Sequence, residues 1–276
     1  MSPVADGTAR LPLLPAELGP GARGAFTTRA GGVSAGPYAA SGPTGGLDLA
    51  LHVGDDPGAV ADNRERLAAV VGGPVAWMDQ VHGATVRVVE RVTGASEGEC
   101  DGLVAVRGGA EVRSGAEPPA VAVLVADCVP VLLADTGGTV VAAAHVGRQG
   151  LVRGVLGATV DAMRTRGAGA LHAAIGPSIC GRCYEVPAAL RDEVEAQVPG
   201  TASSTSWGTP GLDLVAGVRH QLDAAGVRHV DHVAACTLED ERFYSYRRAG
   251  RDGTGATGRF VGVVRSVAAG GPPVRA

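Results

Sequence analysis

The sequence predicts an α+β fold, on three observations. Strand-like and helix-like segments follow one another in mixed order, without the regular strand–helix–strand period of a parallel sheet. Five strand-like apolar runs crowd into residues 85–144. Helical spacing is confined to four segments that flank this strand-rich middle.

A Pro/Gly-rich leader over residues 1–23 is expected to be flexible, and residues 24–276 to form a single domain. Gly24–Arg29 reads as a strand, and Gly31, Gly32, Gly36 and Pro37 then impose a loop. Asp55-Asp56-Pro57 is a helix start, with Asp56 as cap and Pro57 in the first helical position. That helix is predicted to reach Val71 and stop at Gly72-Gly73. The middle strands are Thr85–Glu90, Gly102–Val106, Val121–Ala126, Val129–Ala134 and Thr139–Ala144. Leu151, Val155, Leu156, Thr159 and Met163 recur at roughly helical spacing, predicting one helix over Gly150–Arg166 despite its glycines. Leu171–Ile175 reads as a strand, Pro187–Gln197 and Leu212–Ala225 as helices, and Phe260–Arg265 as a final strand. The Ser/Thr-rich stretch between Pro199 and Pro210 is expected to be a surface loop.

Composition narrows the function classes. With 276 residues, 45% of them hydrophobic, and a formal charge of −4, the chain has a core to bury and no basic footprint for nucleic acid. Its first residues lack the features of a secretory signal, and no apolar run is long enough to span a membrane, so a cytoplasmic protein is expected. Five scattered cysteines do not form a disulfide framework and are expected to be reduced thiols. All 24 basic side chains are arginine. Schiff-base, pyridoxal and P-loop chemistry all need a lysine and are therefore excluded, and any phosphate must be met by arginine, histidine, backbone amide or metal.

Three motifs lack the context their chemistry needs. Gly32-Val33-Ser34-Ala35-Gly36 has the spacing of a nucleophile elbow, but Pro37 follows where a helix should start. Gly253–Gly258 has dinucleotide-loop spacing but precedes a strand, which reads better as a substrate-facing loop. Cys180-Gly181-Arg182-Cys183 would be a redox pair or half of a zinc knuckle, yet no second Cys pair exists to complete a four-cysteine site.

His172, His220, His229 and His232 sit singly on predicted elements and are assigned no role. His82 and His145, by contrast, each end an apolar stretch beside a glycine, where a side chain projects into a cleft. Cys128 lies at a break between two strands. Two imidazoles and a thiolate suit Zn²⁺ and leave one position open, as catalytic sites do. Spacing alone does not choose between such a centre and ordinary packing residues.

Ordered matches over about Phe26–Val264 do add to this reading. They are Phe26-Thr27-Thr28-Arg29, Gly31–Tyr38, Leu51-His52-Val53-Gly54-Asp55-Asp56, Asp62-Asn63-Arg64, Gln80-Val81-His82-Gly83, Ala126–Pro130, Ala174–Pro177, Cys183–Val186 and Phe243–Arg248. In these the chain resembles the multicopper-polyphenol-oxidase-type family, also called laccase-domain proteins or peptidoglycan editing factors. The resemblance implies a four-layer α/β/β/α fold with mixed sheets and duplicated units, of the type described for cysteine hydrolases. It implies zinc held by His82, Cys128 and His145, and phosphorolysis of adenosine, inosine, guanosine or methylthioadenosine with adenosine deamination beside it. Copper oxidation is disfavoured, because three ligands do not supply the several sites a multicopper oxidase needs.

On this reading His82, Cys128 and His145 are catalytic, and Arg64, His52 and Arg29 are expected to bind substrate or phosphate. The expected partners are a nucleoside and phosphate, with the chain a monomer or small homo-oligomer. For Arg64 and Arg29 the competing role is a surface salt bridge, and Arg247 and Arg248 are expected to be structural or peripheral. Cys128 has a competing role as nucleophile of a hydrolase editing peptidoglycan precursors. A non-enzymatic alternative is a zinc-stabilised binding module. The chain also departs from the family's common Gly-Trp-Arg-Gly after the second histidine, with Gly147-Arg148-Gln149-Gly150 in its place, which bears on substrate range and phosphate affinity.

Overall fold

The computed structural model describes residues 11–42, 44–92, 96–108 and 119–267, so residues 1–10 of the expected leader lie outside it. The chain opens with β1 (Leu13–Ala16), β2 (Ala22–Thr27), β3 (Ala30–Gly32), a 3₁₀ turn and β4 (Gly45–Gly46), then α1 (Pro57–Val71). Next come β5 (Val75–Ala76), β6 (Val86–Val89), β7 (Gly102–Val106), β8 (Ala120–Val125), β9 (Val129–Asp135) and β10 (Val140–Val146). Helices α2 (Arg148–Val152) and α3 (Val155–Thr165), β11 (Leu171–Ile175), α4 (Ala188–Gln197), β12 (Ala202–Ser204) and β13 (Pro210–Leu212) follow. The described chain closes with α5 (Leu214–Ala224), β14 (His229–His232), α6 (Tyr246–Arg251) and β15 (Phe260–Ser266).

Two mixed sheets form the body, one ordered β1-β2-β15-β8-β5 and the other β14-β11-β9-β10-β7-β6. Phe26, Val121, Val123, Leu132, Val141 and Phe260 fill the space between them. Helix α1 covers the outer face of the first sheet through Leu67 and Val71, and α3, α4 and α5 cover that of the second. The result is the expected α/β/β/α layering. Strands β8, β9, β10 and β15 are buried along their whole length, which is why they read as continuous apolar runs and not as alternating ones. No helix among the described residues is long and apolar enough to cross a membrane.

Helix α1 starts and stops as its sequence predicts. The Asp56 carboxylate accepts the Ala59 amide at 2.8 Å, and Gly72 closes the helix with φ 80°. Three local expectations differ, and one helix lies outside them. Leu13–Ala16, inside the expected leader, pairs with β2 as an edge strand that tolerates Pro15. The single helix over Gly150–Arg166 is two, broken where Gly154 takes φ 79°. The stretch between Pro199 and Pro210 contributes β12 and the start of β13. Helix α6, capped by Ser245, is too short to show a period in sequence.

A candidate metal centre at the strand ends

The β9–β10 hairpin brings Cys128 and His145 together. Its tight turn is fixed by Asp135, whose carboxylate accepts the amides of Thr139 and Val140 at 2.6 and 2.7 Å. The register then pairs His145 with Pro130 and Val146 with Val129, so Cys128, just before β9, lies beside the end of β10. His82 comes from a loop between β5 and β6. The donor atoms of His82, Cys128 and His145 all lie within 4.8 Å of one another, with Cys128 Sγ 3.8 Å from His82 Nε2.

Asp101, which sequence reasoning missed, organises this cluster. Pairing of β7 with β10 sets it next to His145, whose amide donates to the Asp101 carbonyl at 2.8 Å. Its Oδ1 accepts His145 Nδ1–H at 2.8 Å and the His82 amide at 3.0 Å, and its Oδ2 accepts the Gly83 amide at 2.6 Å. His145 Nε2 is thereby left as the free donor atom, the arrangement common to metal-ligating histidines. The only non-glycine residues with positive φ among those described are His82 (57°) and Asp127 (94°), one at and one beside the cluster. Such backbone persists where its surroundings hold it and gathers at functional sites. Asp127 is held by the Thr237 hydroxyl at 2.6 Å and the Arg247 amide at 2.7 Å.

The electrostatics match an anionic sulfur between imidazoles. Burial works against charge on Cys128, but His145 and His82 beside it bring the thiol down to about 6. Burial likewise opposes charge on His145, and Cys128 and Asp101 raise it to about 9. Both shifts favour a thiolate beside an imidazolium, and two imidazoles and a thiolate converging with an Asp behind one of them are a fitting donor set for a borderline-soft divalent ion.

The cluster opens into a cavity of about 470 Å³. Arg148, Arg247 and Arg259 supply three cations to its wall, Tyr184 and Tyr246 two rings, and Leu124, Ile179 and Leu214 an apolar side. His52 also lines it, and burial together with nearby Arg259 holds its imidazole below the usual value.

Arg64 and Arg29 do not line this cavity. Arg64 stacks over Trp77 at 4.0 Å and donates to the Leu49 carbonyl, while Arg29 donates to the Ala39 carbonyl and lies over Tyr244 at 4.9 Å. Arg248 is structural as expected, donating to the Thr237 and Leu238 carbonyls. Arg247 is not peripheral: it lines the cavity, 5.2 Å over the Tyr184 ring. Ser34 of the elbow-like motif is buried and bonded to Asn63, away from the cavity, whereas the Gly253–Gly258 loop leads directly into Arg259.

Fold and site define a four-layer α+β protein carrying a His–Cys–His metal-type centre in a cationic cavity. The chain belongs to the family described as multi-copper polyphenol oxidoreductase laccase, whose model matches residues 23–266. It is 50% identical over 245 residues to a purine nucleoside phosphorylase of Streptomyces griseus, covering 87% of this chain and 92% of that one. A purine nucleoside phosphorylase of Mycobacterium tuberculosis is 45% identical over 243 residues, covering 86% and 89%. Among solved structures, Neisseria meningitidis protein NMB0706 superposes with a TM-score of 0.76 at 33% identity, covering 93% of this chain and 99% of that one. YlmD from Geobacillus stearothermophilus gives a TM-score of 0.75 at 33% identity, covering 90% and 93%.

Proposed function

We propose that this chain is a zinc-dependent purine nucleoside phosphorylase, with His82, Cys128 and His145 as ligands and adenosine deamination as a companion activity of the same site. The observation that carries this reading is one cavity that joins the His–Cys–His cluster to three arginines and two tyrosines. Relatives named purine nucleoside phosphorylase at 45–50% identity support it.

Zinc bound there would supply fixed positive charge against developing negative charge. The chain's own residues account for the remaining requirements. In phosphorolysis a phosphate oxygen bonds to the ribose anomeric carbon as the bond to the purine nitrogen breaks, giving ribose 1-phosphate and the free base. Arg259, fixed by bonds to the Thr257 and Gly258 carbonyls, and Arg148 and Arg247 are suited to grip phosphate by charge-assisted hydrogen bonds. Arg64 and Arg29, expected in that role beside His52, do not line the cavity. His52 is suited to a sugar hydroxyl or a base edge, and Tyr184 and Tyr246 offer faces for the purine. Holding both reactants in this cavity supplies proximity. Five unpaired thiols fit a reducing, cytoplasmic setting.

Incubating zinc-loaded protein with adenosine and inorganic phosphate tests the reading. Adenine and ribose 1-phosphate are expected only when phosphate is present, with inosine and ammonia reporting deamination. Loss of both products in the wild-type protein would overturn it.

One observation favours a second reading. Cys128, His145 and Asp101 line up like the nucleophile, base and orienting acid of a cysteine hydrolase, as peptidoglycan-precursor editing would require. That arrangement leaves His82 without a task, whereas a metal uses it. Iodoacetamide separates the two, since a nucleophilic Cys128 alkylates in the metal-loaded protein and a ligated one is protected.

A further inference from the structure

We propose that Cys180, Cys183, Cys236 and Glu239 form a second metal site, a structural one for Zn²⁺ that fastens together two segments of the cavity wall. Their donor atoms all lie within 4.8 Å of one another. In a tetrahedral zinc site with Zn–S near 2.3 Å the sulfurs stand about 3.8 Å apart, so the four groups need close by roughly one ångström at most.

The backbone is already shaped for this. Cys180 and Cys183 are the first and fourth residues of a turn closed by Cys183 N–H to the Cys180 carbonyl at 2.9 Å. Cys236 and Glu239 repeat that geometry, with Glu239 N–H donating to the Cys236 carbonyl at 3.1 Å. The chain thus carries Cys-x-x-Cys and Cys-x-x-Glu turns face to face, docked by the Ser178–Cys236 bridge. The missing half of the knuckle is therefore a cysteine and a carboxylate, not a second cysteine pair. The Cys180 amide points at Cys236 Sγ at 3.5 Å, the kind of contact that steadies a thiolate. Three thiolates and a carboxylate around Zn²⁺ leave a net charge of −2, and Arg182, which stands between Cys180 and Cys183 in sequence, offsets part of it. Four protein ligands close the site, which marks it as structural. A disulfide would use only two of the three sulfurs, and all three are free thiols.

The site would position the cavity from two sides. Ile179 and Tyr184, flanking the first turn, line the cavity, and Thr237, in the second, holds the strained Asp127 just before Cys128.

Cys128→Ala removes the only sulfur of the other centre, and of the four cysteines left only Cys100 lies outside this cluster, so a signal from more than one thiolate in that variant must come from the cluster. Full-length Cys128→Ala protein, purified with zinc and dialysed against a weak chelator, is expected to retain one zinc per chain by mass spectrometry. Its cobalt-substituted form is expected to show a tetrahedral spectrum with a thiolate charge-transfer band, and Cys180→Ser added to it to weaken that band by about a third. A Cys128→Ala chain that holds no zinc while its four remaining cysteines titrate as free thiols, or are found as a disulfide, would overturn the proposal. Should Cys180→Ser not fold, the Cys128→Ala measurements decide alone. None of them depends on nucleoside turnover.

Discussion

The Asp101 carboxylate accepts His145 Nδ1–H at 2.8 Å while also accepting the amides of His82 and Gly83. One buried acid thus fixes the tautomer of one imidazole and the backbone of the other. Asp101→Asn keeps the shape but loses the charge and mismatches at least one donor. Metal affinity is expected to fall about 10- to 100-fold. Chelator competition on the refolded variant measures this, and an unchanged affinity would remove Asp101 from the account.

Gly147 offers a steric test of the same centre. A Cβ there would lie 2.7 Å from His82 Cδ2 and 3.0 Å from Cys128 Sγ. Its φ of −79° suits alanine, so backbone strain is not a competing cause. Gly147→Ala is expected to weaken metal binding and nucleoside turnover by at least tenfold while thermal stability of the metal-free chain changes little. Metal titration and a melting curve together check it.

The cationic wall separates cavity arginines from stacked ones. Arg148→Ala or Arg259→Ala is expected to raise KM for phosphate about tenfold, near 1.4 kcal/mol of binding, whereas Arg64→Ala and Arg29→Ala should chiefly lower stability. Initial rates at varied phosphate concentration distinguish these outcomes.

How the site could be read from sequence follows from these same residues. The buried strands are legible because continuous apolar runs have few other uses, and α1 because Asp56, Pro57 and Gly72 punctuate it. Cys128 and His145, 17 positions apart, are related by a hairpin about Thr136-Gly137, a signal available from the two strands and their turn. His82 and Asp101 arrive through pairing across the sheet, which local pattern does not encode. Arg148 and Arg259 look like any surface arginine until the sheet edges are assembled. Cys236 and Glu239 lie more than 50 residues from Cys180 and Cys183, so a search for nearby pairs passes over them.

Asp48 gives a pH test that avoids the metal ligands. Burial raises its carboxyl to about 6 from 3.8, against the Arg259 and Ala50 amides that it accepts. The folded chain therefore holds this proton more tightly than the unfolded one. Folding takes up a proton between about pH 4 and 6, and stability declines as pH rises through that window. Asp48→Asn keeps the oxygen facing both amides and removes the titration. Denaturant melts at pH 4.5 and 7 should show the wild-type chain losing about 2 kcal/mol more than the variant, and parallel curves would contradict this.

The central claim is a metal held jointly by His82, Cys128 and His145 in the wall of the cavity. The direct measurement is an anomalous difference map at the zinc edge from crystals of the zinc-loaded protein. A peak within bonding distance of His82 Nε2, Cys128 Sγ and His145 Nε2 is expected. No peak among those three atoms, in protein whose metal content shows zinc bound elsewhere, would contradict the account.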